Sequence, residues 1–170
     1  MIFVTVGTHE QQFDRLVKCV DDLKAKDIIS DDVVIQTGFC TYEPRHCTYK
    51  NLFPYKDMAV NIEKARIVIT HGGPSSFIAP LQMGKIPIVM PRQKSFGEHV
   101  NDHQLDFCKA VSERFGNIIV AETEEELCNA VLNYDDIVKT MPKSVESNNA
   151  KFNKNFEEIA ASLLRGWGRD

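Results

Sequence analysis

The sequence lacks any apolar run approaching the ~20 residues that span a bilayer, which leaves membrane association to a partner or a surface helix. It also lacks a C-x-x-C pair, and its five cysteines (Cys19, Cys40, Cys47, Cys108 and Cys128) are odd in number. That pattern excludes a zinc ribbon and a paired disulfide framework and suits a reducing compartment. Basic residues are not in excess: 20 Lys and Arg stand against 24 Asp and Glu, for a net charge of −4. Such a balance gives no electrostatic footprint for general nucleic-acid binding. No internal repeat and no low-complexity segment occurs. Met1 runs straight into strand-like residues 2–6, which leaves no room for a signal peptide and predicts a cytoplasmic chain.

What is present is an ordinary globular composition in 170 residues, enough for one proper core. Short β-branched runs at 2–6, 33–36, 67–70, 86–90 and 117–120 read as buried strands, and 52–55 as a further short one. Between them lie helical patterns. Phe13, Leu16, Val17, Val20 and Leu23 recur at helical spacing. Asp57 is a candidate N-cap for a helix through Lys64, and residues 99–113 form another. Thr123 with Glu126 three residues on is a capping box for a helix through Leu132. This alternation predicts an α/β fold: a Rossmann-like parallel sheet of about six strands with helices on both faces. Residues 1–134 form that domain. Residues 135–149, polar and containing Pro142, read as a connector. The bulky stripe Phe152, Phe156, Ile159, Leu163 and Trp167 then forms a C-terminal amphipathic helix that either covers the sheet or docks elsewhere.

The chain is organised around residues 66–105. After the strand at 67–70 comes His71-Gly72-Gly73-Pro74-Ser75-Ser76. Glycines admit close backbone approach, and proline suits the first position of a helix. The free N–H groups of that helix, with its dipole, make a phosphate site. After the strand at 86–90 comes a polar loop and then His99, Asn101, Asp102, His103 and Gln104. Both loops leave carboxyl ends of strands, where open α/β sheets bind ligands. His99 and His103, four apart, have metal-ligand spacing on a helix, but without a third ligand they read as a solvated face.

Four motifs in order, FPYKDM at 53–58, ARIVITHGG at 65–73, GKIPIV at 84–89 and NDHQ at 101–104, resemble the carboxy-terminal domain of family-28 glycosyltransferases, a group that includes the bacterial peptidoglycan N-acetylglucosaminyltransferase. Thr37-Gly38 fits as well, and the resemblance runs from Ile2 to about Val131. It implies the carboxy-terminal, donor-holding half of a GT-B fold. It also implies similarity to the soluble subunit of split transferases, such as the paired bacterial enzymes of capsule and exopolysaccharide synthesis and the two-subunit dolichol-pathway enzyme.

On that resemblance Gly72, Gly73, Ser75 and Ser76 hold the diphosphate of a UDP-sugar, and Gly7, Thr8 and His9 face the same cleft. Pro54 and Tyr55 lie near the uracil, His71 lies at the turn, and His103 and Gln104 contact sugar or phosphates. The family's ribose-gripping glutamate falls at Ala79; no acid occurs between Gly73 and Gly84, and Gln82 is the nearest substitute. His9 or Glu10 is a candidate general base if the loop reaches the acceptor, although in the family the base often lies on the other half of the cleft. The implied partners are a membrane-anchored acceptor-domain subunit and a lipid-linked saccharide, which places the chain at the inner face of the membrane. No metal or other cofactor is implied. The alternatives are a non-catalytic nucleotide-binding or regulatory subunit, and a nucleotide-sugar epimerase, which needs both halves in one chain.

Overall fold

The computed structural model describes residues 1–142. Six strands form one sheet, β1 (Ile2–Thr5), β2 (Val33–Gln36), β3 (Thr48–Lys50), β4 (Ile67–His71), β5 (Ile88–Met90) and β6 (Ile119–Val120), in the order β3-β2-β1-β4-β5-β6. Every pairing is parallel. The helices are α1 (Asp14–Ala25), α2 (Tyr55–Lys64), α3 (Pro74–Gln82), α4 (His103–Phe115), α5 (Glu124–Leu132) and α6 (Tyr134–Lys139).

The period-two alternation of the strands explains how helices come to cover both faces. Ile2, Val4, Val33, Ile35, Ile67, Ile69, Ile88 and Met90 point to one side. There they pack with Leu16, Val17 and Val20 of α1, with Leu127 of α5, and with Tyr134. The residues that alternate with them point the other way. Phe3 and Val68 meet Ile62 of α2, and Val89 meets Phe77 of α3 and Cys108 of α4. A strand buried on both faces has no polar alternation to show, which is why these runs read as continuously apolar. Each such side chain contributes roughly 1.5–3 kcal/mol on burial. Thr123 and Glu126 close the predicted capping box at α5.

Beyond shifts of one or two residues at strand ends, four features differ from the sequence expectation. The third strand is Thr48–Lys50, not residues 52–55, because an edge strand exposed along its whole length carries no apolar signal. Helix α2 starts at Tyr55 after Pro54, which places Asp57 inside the first turn instead of at the cap. Helix α4 starts at His103, so His99 lies before it and the two histidines do not share a helix face. The first part of the expected connector is helix α6. Tyr134 at its start is buried and donates to the Ile86 carbonyl at 2.6 Å, which ties α6 to the sheet. The stripe Phe152–Trp167 lies outside the described residues. Among those residues no helix is long and apolar enough to cross a membrane.

Candidate functional site

Order 3-2-1-4-5-6 places the switch point of the sheet between β1 and β4, where the chain leaves the two strands in opposite directions and opens a crevice at their carboxyl ends. A pocket of about 460 Å³ lies there. Its floor is set by polar residues that end otherwise apolar strands. Thr5 and Gln36 are register partners at the ends of β1 and β2. The Thr5 hydroxyl oxygen accepts from Gly7 N–H and from Gln36 Nε2, both at 3.1 Å. Gln36 Oε1 in turn accepts from Phe53 N–H at 2.9 Å. Three loops are thereby fastened at their roots by one buried chain of hydrogen bonds.

The wall opposite is the start of α3. Pro74 occupies the first turn, with Ser75 and Ser76 next, and no side chain caps the helix. The helix dipole and the two serines therefore face the pocket with no side-chain cap among the described residues. Phe53, Met58 and Ile62 give the apolar end of the cavity, and Tyr55 stands at its mouth, 89% exposed.

His71, the last residue of β4, is the tightest-fitting part of the site. Its ring lies between two glycines. A Cβ on Gly7 would come 2.4 Å from its Cε1, and one on Gly73 would come 2.4 Å from its Nε2. The glycine pair read from the sequence as an opening for a ligand therefore has a second duty: Gly73 also makes the slot for this imidazole. Nδ1 of His71 is buried without a hydrogen-bond partner among the described residues. Burial first, and then the charge of Arg92, hold the His71 pKa down at about 4, so the ring is neutral at physiological pH. The folded protein refuses a proton that the unfolded chain takes near 6.5. Stability should accordingly fall as pH drops from 6.5 towards 4, by about 3 kcal/mol from this group. Denaturant midpoints of wild type and His71→Gln against pH measure this. The variant should lose that part of the slope, and parallel curves would contradict the assignment.

Of the residues singled out by sequence, Gly7, Thr8, Tyr55, His71, Ser75, Ser76 and Gln82 line the pocket together. Gly72 and Gly73 stand behind its wall. A Cβ on Gly72 would come 2.9 Å from Gln104 Cβ, so α4 packs on that glycine. Gln104 does not reach the pocket: its Oε1 accepts from Arg92 N–H at 3.2 Å. His103 is exposed at the start of α4. His9 and Glu10 sit on the exposed β1–α1 loop; the His9 ring lies 5.3 Å from that of His99, and neither His9 nor Glu10 lines the cavity. Among the described residues no group of three or more His, Cys, Asp or Glu is placed to share a metal ion. Ala79, the position at which the resemblance led one to expect an acid, lines the pocket with Gln82 and Met83 beside it.

Sequence reading missed Thr5, Gln36 and Arg92. A usable signal existed for the first two: each is a single polar residue closing an apolar strand at its carboxyl end. It also passed over the clamp on the opposite loop, where Arg15 donates to both oxygens of buried Glu98 at 2.8 Å.

A switch-point pocket walled by a helix start, in a doubly wound parallel sheet, defines a half-fold of Rossmann type. Residues 1–163 match the Glycosyltransferase family 28 C-terminal domain, and the chain belongs to that family. Over 117 residues, 64% of this chain, it is 33% identical to the human (Homo sapiens) UDP-N-acetylglucosamine transferase subunit ALG13, of whose length it spans 10%. The fold is shared with solved glycosyltransferases. The glycotransferase of kitacinnamycin is similar at 20% identity with a TM-score of 0.55, over 78% of this chain and 34% of that one. The spinosyn forosaminyltransferase SpnP is similar at 13% identity with a TM-score of 0.55, over 90% and 42%.

Proposed function

We propose that this chain is the donor-binding catalytic subunit of an inverting glycosyltransferase that moves a sugar from a UDP-sugar to a lipid-linked saccharide. A membrane-anchored second subunit supplies the acceptor side and holds the chain at the inner face of the membrane. The observation that carries this reading is the pocket itself: an uncapped α3 start, two serine hydroxyls and a buried polar floor at one switch point. Membership of family 28 supports transferase chemistry, and the relative named as a UDP-N-acetylglucosamine transferase subunit supports both a UDP-sugar and a divided enzyme.

The chemistry follows from charge. Breaking the sugar–phosphate bond leaves negative charge on the diphosphate, and donors fixed at the α3 start stabilise it as it grows. The acceptor hydroxyl must lose its proton to a base. His9 and Glu10 stand outside the pocket, so the partner's half of the cleft is the better source of that base. The same observation favours the second reading, a subunit that binds nucleotide without catalysing transfer.

Membranes carrying this chain and its partner, given a labelled UDP-sugar, test the proposal. Label should enter the lipid fraction and persist in excess EDTA, since no step requires a metal. Activity lost on chelation and restored by a divalent cation would contradict the metal-free chemistry. UDP binding without any transfer would leave the non-catalytic reading standing.

A further inference from the structure

No charged side chain is found among the described residues that line the pocket, yet the ligand proposed for it is a polyanion. A buried cation stands behind it: Arg92, in the loop after β5, bonded to the carbonyl of Val6, the residue before pocket-lining Gly7. Its side chain is 0% exposed, the largest of the fully buried ones. The guanidinium donates to the carbonyls of Gln11 and Gln12 at 2.8 Å, of Val6 at 3.1 Å and of Glu98 at 3.2 Å. Three of these carbonyls belong to the end of β1 and the β1–α1 loop, and the fourth to the loop that carries Arg92. The Phe13 ring lies 4.9 Å from Cζ.

No carboxylate pairs with Arg92 among the described residues. Glu98 is close by, but its two oxygens are engaged by Arg15 and by the Gln93 N–H at 3.0 Å. The Arg92 Nε–H has no partner among the described residues. A tie between two loops could be made by a neutral amide. Keeping a full charge buried against carbonyl dipoles and an aromatic ring, with the nearby Glu98 engaged elsewhere, is costly, and an anion supplied from outside offsets that cost. The charge also reaches the pocket wall, since after burial it is the strongest influence on His71.

We infer that Arg92 is a positioning residue of the donor site: it fixes the β1–α1 loop against the β5–α4 loop, and its charge attracts the donor diphosphate from behind the pocket wall. This rests on the nucleoside-diphosphate reading above. A fixed charge in a water-poor interior acts over a longer range than one at the surface.

The test compares UDP with neutral uridine by NMR titration of wild type, Arg92→Gln and Arg92→Lys. Arg92→Gln should weaken UDP by about ten-fold or more while uridine changes by less than about three-fold, because only UDP carries the charge that Arg92 meets. Arg92→Lys should hold UDP within about three-fold of wild type. The His71 imidazole should titrate higher in Arg92→Gln than in wild type and stay low in Arg92→Lys. Unchanged UDP affinity in Arg92→Gln, or equal losses for both ligands, would overturn the inference. If Arg92→Gln does not fold, Arg92→Lys decides: UDP retained supports the charge, and UDP and uridine lost together overturn it. Failure of both variants to fold would reduce Arg92 to a residue of the fold and overturn the inference as well. Wild type binding neither ligand would instead defeat the nucleoside-diphosphate reading, a result separable from any failure at Arg92.

Discussion

Gly7→Ala should destabilise the protein by several kcal/mol and remove its ligand site with it. Gly7 has φ +77°, a left-handed conformation that costs an L-residue about 1–2 kcal/mol. The added Cβ would also stand 2.4 Å from His71 Cε1 and 2.8 Å from Nε2. The ring cannot retreat, because Gly73 closes the other side of its slot. The two causes can be separated by a double-mutant cycle. His71→Ala empties the slot, so Gly7→Ala in that background should cost about 2 kcal/mol less than in wild type, leaving the backbone term alone. Urea unfolding of the four proteins checks this. Strictly additive losses would mean that His71 does not fill the space above Gly7. Gly73→Ala provides a companion case, since Gly73 has φ −74° and the collision with His71 Nε2 is the obstacle.

Ser76→Asp should lower UDP affinity by about 100-fold, ~3 kcal/mol, without lowering stability. Ser76 lies in the first turn of α3, which carries no acidic residue and no side-chain cap. A carboxylate there suits the helix dipole and adds 0.3–1 kcal/mol or so to the helix. Its charge opposes any phosphate bound at the same turn. Loss of binding in this variant therefore cannot be attributed to unfolding. Ser76→Asn, of nearly the same shape and neutral, should lose less than about ten-fold. Calorimetric titration with thermal melts on both variants decides it. Equal affinity in Ser76→Asp and wild type would place the diphosphate elsewhere.

How much of this was legible in the sequence depends on the physical signal each feature leaves. The four inner strands and the α3 start were legible because burial on both faces demands uninterrupted β-branched runs, and because Gly-Gly-Pro-Ser-Ser after such a run has few other uses. Strand β3 was not, since Thr48, Tyr49 and Lys50 are all exposed and nothing in their pattern separates an edge strand from a loop. The start of α4 was misplaced by the apolar Val100, which is 69% exposed and belongs to the preceding turn. Within the site, His71, Ser75 and Ser76 and the glycines between them lie close together along the chain and could be read as one motif. The Thr5–Gln36–Phe53 chain and the Arg92 cage could not. Apart from the Glu98 carbonyl, their partners lie 17 to 86 residues apart, and only the strand order brings them together. Gln104 shows the limit of motif reading. It lies in a motif that resembles the family's, and here its side chain serves the Arg92 loop instead of the pocket.

The central claim is that a nucleoside diphosphate seats at the α3 start, and residue-by-residue NMR titration of the full chain with UDP tests it most directly. Saturable shifts should be largest at the amides of Gly73, Ser75 and Ser76, with Thr8, Phe53 and the His71 ring following at the same affinity. Shifts that are absent, or that gather instead at the separate surface hollow formed by Thr41, Tyr42 and Arg45, would contradict it.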